Sequence, residues 1–223
     1  MKKLVALLMA AALGVSLALC GCGSKDEASS DEEKISGGWT VPDSVEVTDE
    51  VKTVLNKATK EMTGADYEPV AYLGSQVVAG TNYRILCKVS PVVPNAESTY
   101  AIVTVYENLE GKAEITEVLN SEVKAYEWLE DADGSWTPTE SPALTEEATK
   151  SLQKSVEKMT DAYYEPVALL GTQVVAGTNY SLLCQVTPVA ENAETHYSIV
   201  VVYNGADGTT SVVETHDFSS DAE

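Results

Sequence analysis

The sequence has 223 residues, of which 44% are hydrophobic and 22% charged, enough for one large domain or two small ones. It contains 35 acidic residues against 14 lysines and arginines, so the formal net charge is −21. A chain this acidic repels phosphate backbones, which argues against nucleic acid as a partner. Because the acidic residues are interspersed with valine- and tyrosine-rich stretches, the composition also argues against a wholly disordered chain.

Residues 1–21 are typical of an export signal. Two lysines after Met1 precede an apolar run over residues 4–19, which is too short for a comfortable membrane span. The sequence Leu-Cys-Gly-Cys that follows resembles the lipobox of bacterial lipoproteins, and the match implies lipid attachment at Cys22. An ordinary signal peptide with incidental cysteines is the alternative. We therefore expect an exported protein, anchored to the membrane at the bacterial cell surface through Cys22.

The segment after Cys22 is polar and acidic. Residues 24–34 contain no large apolar side chain, so they cannot bury a core of their own. We predict that residues 22–35 form a flexible acidic tether between the lipid anchor and the folded part of the chain.

The remaining sequence is one unit written twice at a constant offset of 97 residues, as from Trp39 to Trp136. The eight residues that begin at Gln76 recur without change from Gln173, and no insertion interrupts the match. We therefore predict two domains of one fold, over residues 36–126 and 134–223, joined by a linker over residues 127–133. Two copies are too few for a solenoid, so each is expected to fold alone.

Each repeat begins with a predicted helix. Thr48 and Thr145 are suited to cap the two helices, and acidic residues follow them at the positive end of the helix dipole. Gly64 and Asp161 are predicted to mark the helix ends. In the first repeat the apolar residues that recur at helical spacing are Val51, Val54, Leu55, Ala58 and Met62.

The rest of each repeat is strand-like, with runs of Val, Ile and Tyr that alternate in character and are separated by Gly, Asn and Pro. In the first repeat these runs cover residues 69–78, 82–89, 100–106 and 113–119. One helix followed by such a meander indicates an α+β fold, in which a four- or five-stranded antiparallel sheet wraps one helix.

Each repeat has one cysteine on its second long strand, Cys87 and Cys184. Cys87 shares a strand face with apolar neighbours, and the residues of that face are Tyr83, Ile85, Cys87 and Val89. We favour free, buried thiols at these two positions, and a disulfide between the repeats is the alternative.

The turn between the first two long strands has small or apolar side chains. Gly80 and Asn82 can adopt the positive backbone angles that a tight hairpin requires. Exposure of Val78 and Ala79 at the end of a hairpin is unfavourable unless a partner covers them. This pattern predicts a binding surface.

These residues resemble the cystatin family, and the stefin branch in particular. The family signature on the first hairpin is Gln-x-Val-x-Gly, which stefins extend to QVVAGTNY, and both repeats contain the extended form. The matching residues are Gln76, Val77, Val78, Ala79 and Gly80 in the first repeat, and Gln173, Val174, Val175, Ala176 and Gly177 in the second. The resemblance implies two tandem cystatin-like domains.

The same resemblance implies reversible, non-covalent inhibition of papain-family cysteine proteases by a wedge. In that family a trunk that ends at a glycine lies along the unprimed side of the protease cleft, and two hairpins enter the primed side. Gly37 and Gly38 stand at the trunk position in the first repeat, and Gly134 in the second. Leu109 matches the leucine of the stefin second hairpin, with Glu110 in place of proline.

The second repeat departs further from the stefin pattern. Ser135 replaces the second trunk glycine, and Ala206 and Asp207 stand at the second hairpin. We therefore expect the first repeat to be the better inhibitor and the second to be weak or structural.

The main alternative to inhibition is a non-inhibitory adhesion or binding module on the same fold. The sequence has no CxxC, HExxH or Cys/His pair common to both repeats, so we expect no catalytic residue, metal or cofactor. Trp39 and Trp136 are interpreted either as protease contacts or as anchors of the chain entrance.

Overall fold

The computed structural model describes residues 37–126 and 134–220. The predicted export signal, the tether, Cys22 and the linker over residues 127–133 lie outside the described residues. Those described form two five-stranded antiparallel sheets and two helices, which confirms the α+β class. Both sheets belong to one compact unit. In this described part of the chain, no helix is long and apolar enough to cross a membrane.

The two repeats contain the same elements in the same order. The first consists of β1 (Trp39–Thr40), α1 (Asp49–Thr59), β2 (Ala65–Val78), β3 (Gly80–Pro91), β4 (Thr99–Glu107) and β5 (Ala113–Lys124). The second consists of β6 (Trp136–Pro138), α2 (Glu146–Val156), β7 (Ala162–Val175), β8 (Gly177–Pro188), β9 (His196–Gly205) and β10 (Thr210–Asp217). In each sheet the strands lie side by side in chain order.

The predicted helix starts are confirmed. The Thr48 hydroxyl accepts a hydrogen bond from the backbone N–H of Val51 at 3.3 Å, and Thr145 accepts the equivalent bond from Ala148 at 3.2 Å. Each cap satisfies one of the backbone donors that the first turn of a helix leaves without a partner.

The predicted helix ends are too late. Helix α1 ends at Thr59, where the N–H of Met62 returns to the Thr59 carbonyl and closes a turn. Met62 therefore lies beyond the helix, and it is 43% exposed instead of completing the apolar stripe. Helix α2 likewise ends at Val156, before the predicted Asp161.

Strand β2 begins four residues before the predicted start, at Ala65, and includes Pro69. Proline has no backbone N–H to donate and is tolerated where no neighbouring strand needs one. Strand β1 pairs with Ser75 and Gln76, farther along β2, so Pro69 lies beyond that short ladder. The chain shifts register directly after Pro69, a β-bulge opposite Cys87 and Leu86.

One face of each sheet packs on its own helix. In the first repeat the predicted face of β3 is confirmed, because Tyr83, Ile85 and Cys87 lie in the core under α1. In the second repeat, Leu182 and Cys184 lie in the equivalent core under α2. These two cores hold each helix against its own sheet.

The opposite faces of the two sheets share a third core, which we call the shared core. Its buried residues come from both repeats: Ala71, Leu73, Leu86, Tyr100, Ile102, Ala125, Ala168, Leu170, Leu183, Tyr197, Ile199 and Phe218. The edge strand β5 also meets the second repeat at a backbone bridge between Asn120 and Ser219, which follows the end of β10. The shared core was not predicted. Because its apolar side chains are buried between the two sheets, it holds the two repeats together.

Candidate functional site

The first tip (residues 78–80) is the turn between β2 and β3. Its apolar side chains point away from the three cores: Val78 is 41% exposed, and Ala79 is also exposed. Gly80 has a φ of +134°, and a Cβ there would collide with the carbonyl oxygen of Glu107. Only glycine allows the tip to lie this close to the next hairpin.

The trunk glycine lies directly beside this tip. The N–H of Gly37 donates to the Val77 carbonyl at 3.0 Å. The Gln76 side-chain amide donates to the Gly37 carbonyl at 3.1 Å and accepts from the Asn82 amide at 2.8 Å. One glutamine therefore ties the trunk to both strands of the first hairpin. Gly37 has a φ of +88°, which favours glycine at this position.

The turn between β4 and β5 is the third segment beside the first tip, after the trunk glycine. The Tyr106 hydroxyl donates to the Ala79 carbonyl at 2.6 Å, which fixes the first tip against the second hairpin. Leu109, the second residue of that turn, is 82% exposed. The Asn108 side chain accepts from the N–H groups of Glu110 and Lys112, so the turn that presents Leu109 is held by its own hydrogen bonds.

The second tip (residues 175–177) has the same framework. The Gln173 amide donates to the Gly134 carbonyl at 2.7 Å and accepts from the Asn179 amide at 2.7 Å. The Tyr203 hydroxyl donates to the Ala176 carbonyl at 2.6 Å. The two valines here are more exposed than those of the first repeat, Val174 at 72% and Val175 at 43%.

The neighbouring turn differs between the two tips. Ala206 and Asp207 are exposed where the first repeat has Leu109 and Glu110. The Asp207 carboxylate accepts from the hydroxyl and the N–H of Thr209, and these bonds hold the pKa of Asp207 below its usual value. The second turn therefore offers less apolar surface and keeps a negative charge beside its tip.

Trp39 and Trp136 both pack on residues of this chain. The Arg84 guanidinium lies over the Trp39 ring at 4.0 Å from the centroid. Trp136 is stacked on Tyr126 with ring centroids 4.6 Å apart. These contacts are those that the anchoring interpretation requires. Gly38 lies between the trunk glycine and Trp39 and is half-buried.

The site offers a shaped apolar surface for contact with a partner. Cys87 and Cys184 are free and buried away from the tips, as the favoured interpretation predicted. Burial raises the pKa of both thiols, that of Cys184 to about 12, so they stay protonated at neutral pH. Within residues 37–126 and 134–220, no three His, Cys, Asp or Glu side chains are grouped to hold a metal ion.

The structure brings the predicted site residues of each repeat together, and it adds Tyr106 and Tyr203, to which the sequence assigned no role. The prediction for Asn82 is wrong: Asn82 lies inside β3, opposite Gln76 and Tyr106, and does not have the positive φ expected of a turn residue. Asn82, Tyr106 and their counterparts Asn179 and Tyr203 hold the tips in place. The available signal was their identity in both copies at the offset of 97 residues. Sequence alone does not show that a hydroxyl 27 residues away reaches the tip carbonyl.

Comparison with known proteins assigns no relative to the chain. No family model matches the sequence, and no curated protein matches it.

Proposed function

We propose that the chain is a reversible, non-covalent inhibitor of papain-family cysteine proteases, with no catalytic activity of its own. In this proposal each repeat is a cystatin-like domain whose tip enters the protease cleft. The trunk glycine, Gly37 or Gly134, lies along the unprimed side, and the tip and the neighbouring turn enter the primed side.

The exposed apolar tip, already held by hydrogen bonds on both sides, is the observation on which the proposal depends. Gln76 ties the tip strand to the trunk, and Tyr106 ties Ala79 to the second hairpin. A surface fixed in this way before binding loses little conformational entropy when it enters a cleft. Among the residues that the structure describes, Val78 and Ala79 remain exposed.

The tip cannot supply the whole affinity. Burial of two small apolar side chains contributes about 2–4 kcal/mol, which is far below the free energy of a tight complex. Leu109 and the backbone groups of the trunk must add to it. Their placement around the first tip supports a three-part contact in that repeat.

Inhibition of papain tests the proposal directly. The experiment uses residues 23–223, which include the compact unit from Lys34 to Glu223, with a fluorogenic peptide as substrate. We expect reversible inhibition, and we expect Val78→Asp combined with Val175→Asp to raise the inhibition constant at least about 100-fold, because an unpaired carboxylate would be buried in the cleft.

The matched control places the same substitution at exposed valines outside the tips. Val92 and Val189 occupy equivalent positions and are 62% and 55% exposed. Val92→Asp combined with Val189→Asp should leave the inhibition constant unchanged. Absence of inhibition by the unmodified chain, or equal inhibition by the tip variant, would contradict the proposal and favour a non-inhibitory binding module.

We also propose that the protein acts outside the cell. The resemblance of the first 22 residues to a lipoprotein signal supports export and a lipid anchor at Cys22. Mass spectrometry of the mature N-terminus checks this: a diacylglyceryl-modified peptide that starts at Cys22 is expected. An unmodified Cys22 would contradict the lipid anchor and indicate a secreted protein that is not attached to the membrane.

A further inference from the structure

We propose that one chain holds two protease molecules at the same time, one at each tip, because the shared core places the tips at opposite ends of a single unit. This inference rests on the proposed function and adds to it the stoichiometry and geometry of the complex. It depends on how the two sheets are aligned.

The pairing of residues between neighbouring strands shows which end of each sheet carries the tip. In the first repeat, β3 leaves the tip at Thr81 opposite Glu107 and reaches the far end at Val89 opposite Thr99. Eight residue steps of a strand span about 26 Å. The loop between β4 and β5 is therefore at the tip end, and the loop between β3 and β4 is at the far end.

The far end of the first sheet lies against the base of the second tip. A cleft of about 810 Å³ is lined by Gly134, Trp136 and Gln173, next to the second tip. The same cleft is lined by residues 96–98 and 122–126, which belong to the far end of the first sheet. The two sheets consequently run in opposite directions here.

A second contact shows the same alignment from the other side. Arg84 lies four residues from Gly80 and covers Trp39 at the base of the first tip. The same guanidinium lies 6.0 Å from the centroid of the Tyr197 ring. Tyr197 pairs with Gln185 at the far end of the second sheet. Each tip thus lies beside the far end of the other repeat.

Within the described ranges, neither repeat covers the tip of the other. Val78 and Leu109 stay exposed at one end of the molecule, and Val174 and Val175 stay exposed at the other. A protease on one tip therefore approaches from the direction opposite to a protease on the second. The turn beside the second tip lacks an equivalent of Leu109, so that tip should fill at the higher protease concentration.

Sedimentation velocity with papain alkylated at its catalytic cysteine tests the inference. With residues 23–223 and excess alkylated papain, we expect a complex of one chain and two papain molecules. Val78→Asp and Val175→Asp, made separately, should each reduce the complex to one papain molecule. Val92→Asp and Val189→Asp serve as controls and should retain two.

The outcomes separate this inference from the proposed function. If the unmodified chain never exceeds one papain molecule, simultaneous occupancy is wrong, while the proposed function stands if that single molecule is lost in the tip variants. If no papain binds under any condition, both proposals are wrong. Thermal unfolding of each variant shows whether a loss of binding reflects unfolding.

Discussion

The first and second tips share one framework and differ in what stands beside them. The hydrogen bonds from Gln76 and Tyr106 recur at Gln173 and Tyr203 with the same donor and acceptor types. The turn next to the tip changes from Leu109 and Glu110 to Ala206 and Asp207, so it loses the exposed leucine and keeps an acidic residue. The framework residues are set by the backbone geometry they maintain, whereas the exposed residues can vary without disturbing it.

The tip glycines give the largest expected difference in stability. A Cβ at Gly80 or Gly177 would collide with a backbone carbonyl of the adjacent strand, and both have positive φ. We expect Gly80→Ala and Gly177→Ala each to lower the free energy of unfolding by about 2–4 kcal/mol, measured by urea denaturation. Equal losses would show that the two frameworks are equivalent.

A control for Gly80→Ala and Gly177→Ala separates the effect of the Cβ collision from the effect of the positive φ. Gly111 and Gly208 occupy equivalent positions, also have positive φ, and have open space or ordinary contact where a Cβ would stand. Their alanine variants should lose only about 1 kcal/mol. A loss as large as that of the tip variants would show that the close approach of the hairpins is not the cause.

Alkaline pH should weaken both repeats by similar amounts. Burial raises the pKa of Cys87 and Cys184 above the usual value of 9.0, so above pH 9 the unfolded thiols ionise while the folded ones stay protonated. The contribution of the protonated thiols to the free energy of unfolding is therefore fully present below pH 9. Above pH 9 it falls by about 1.4 kcal/mol per pH unit for each thiol.

Urea denaturation at pH 8 and pH 10 measures this effect. Cys87→Ala and Cys184→Ala should each reduce the loss of stability between the two pH values by about 1.4 kcal/mol, whatever their effect at pH 8. A pH dependence that is unchanged in both variants would show that the thiols are not the groups involved.

The neighbouring turn gives the smallest effect and bears most directly on the difference between the repeats. With the second tip inactivated by Val175→Asp, Leu109→Ala should raise the inhibition constant for papain roughly tenfold through lost apolar burial. With the first tip inactivated by Val78→Asp, Ala206→Leu should lower it by a similar factor. An unaffected constant in both backgrounds would show that this turn does not contact the protease.

Much of each repeat could be predicted from its sequence, because helix caps, strand periodicity and hairpin glycines are local signals. The helix starts at Thr48 and Thr145 and the inward face of β3 follow from such signals. The trunk glycines and the tips could be placed together through the repeated motif. The bonds from Tyr106 and Tyr203 could not, since they join residues far apart in the chain.

The shared core was missed although a local signal existed. The run from Tyr100 to Val105 is apolar at every position except Thr104, which is typical of a strand buried on both faces. The alternating pattern predicted for this strand gave its second face no partner. The prediction that each repeat folds alone remains untested. The shared core argues against it, because a separated repeat would expose the apolar sheet face that this core buries.

The central claim is that the apolar tips occupy the cleft of a papain-family protease. The most direct measurement compares binding of residues 23–223 to two forms of papain: one alkylated by a small group at the catalytic cysteine, and one whose cleft is filled by a covalent peptidyl inhibitor on both sides of that cysteine. We predict binding to the first form and none to the second. Equal binding to both forms would contradict it.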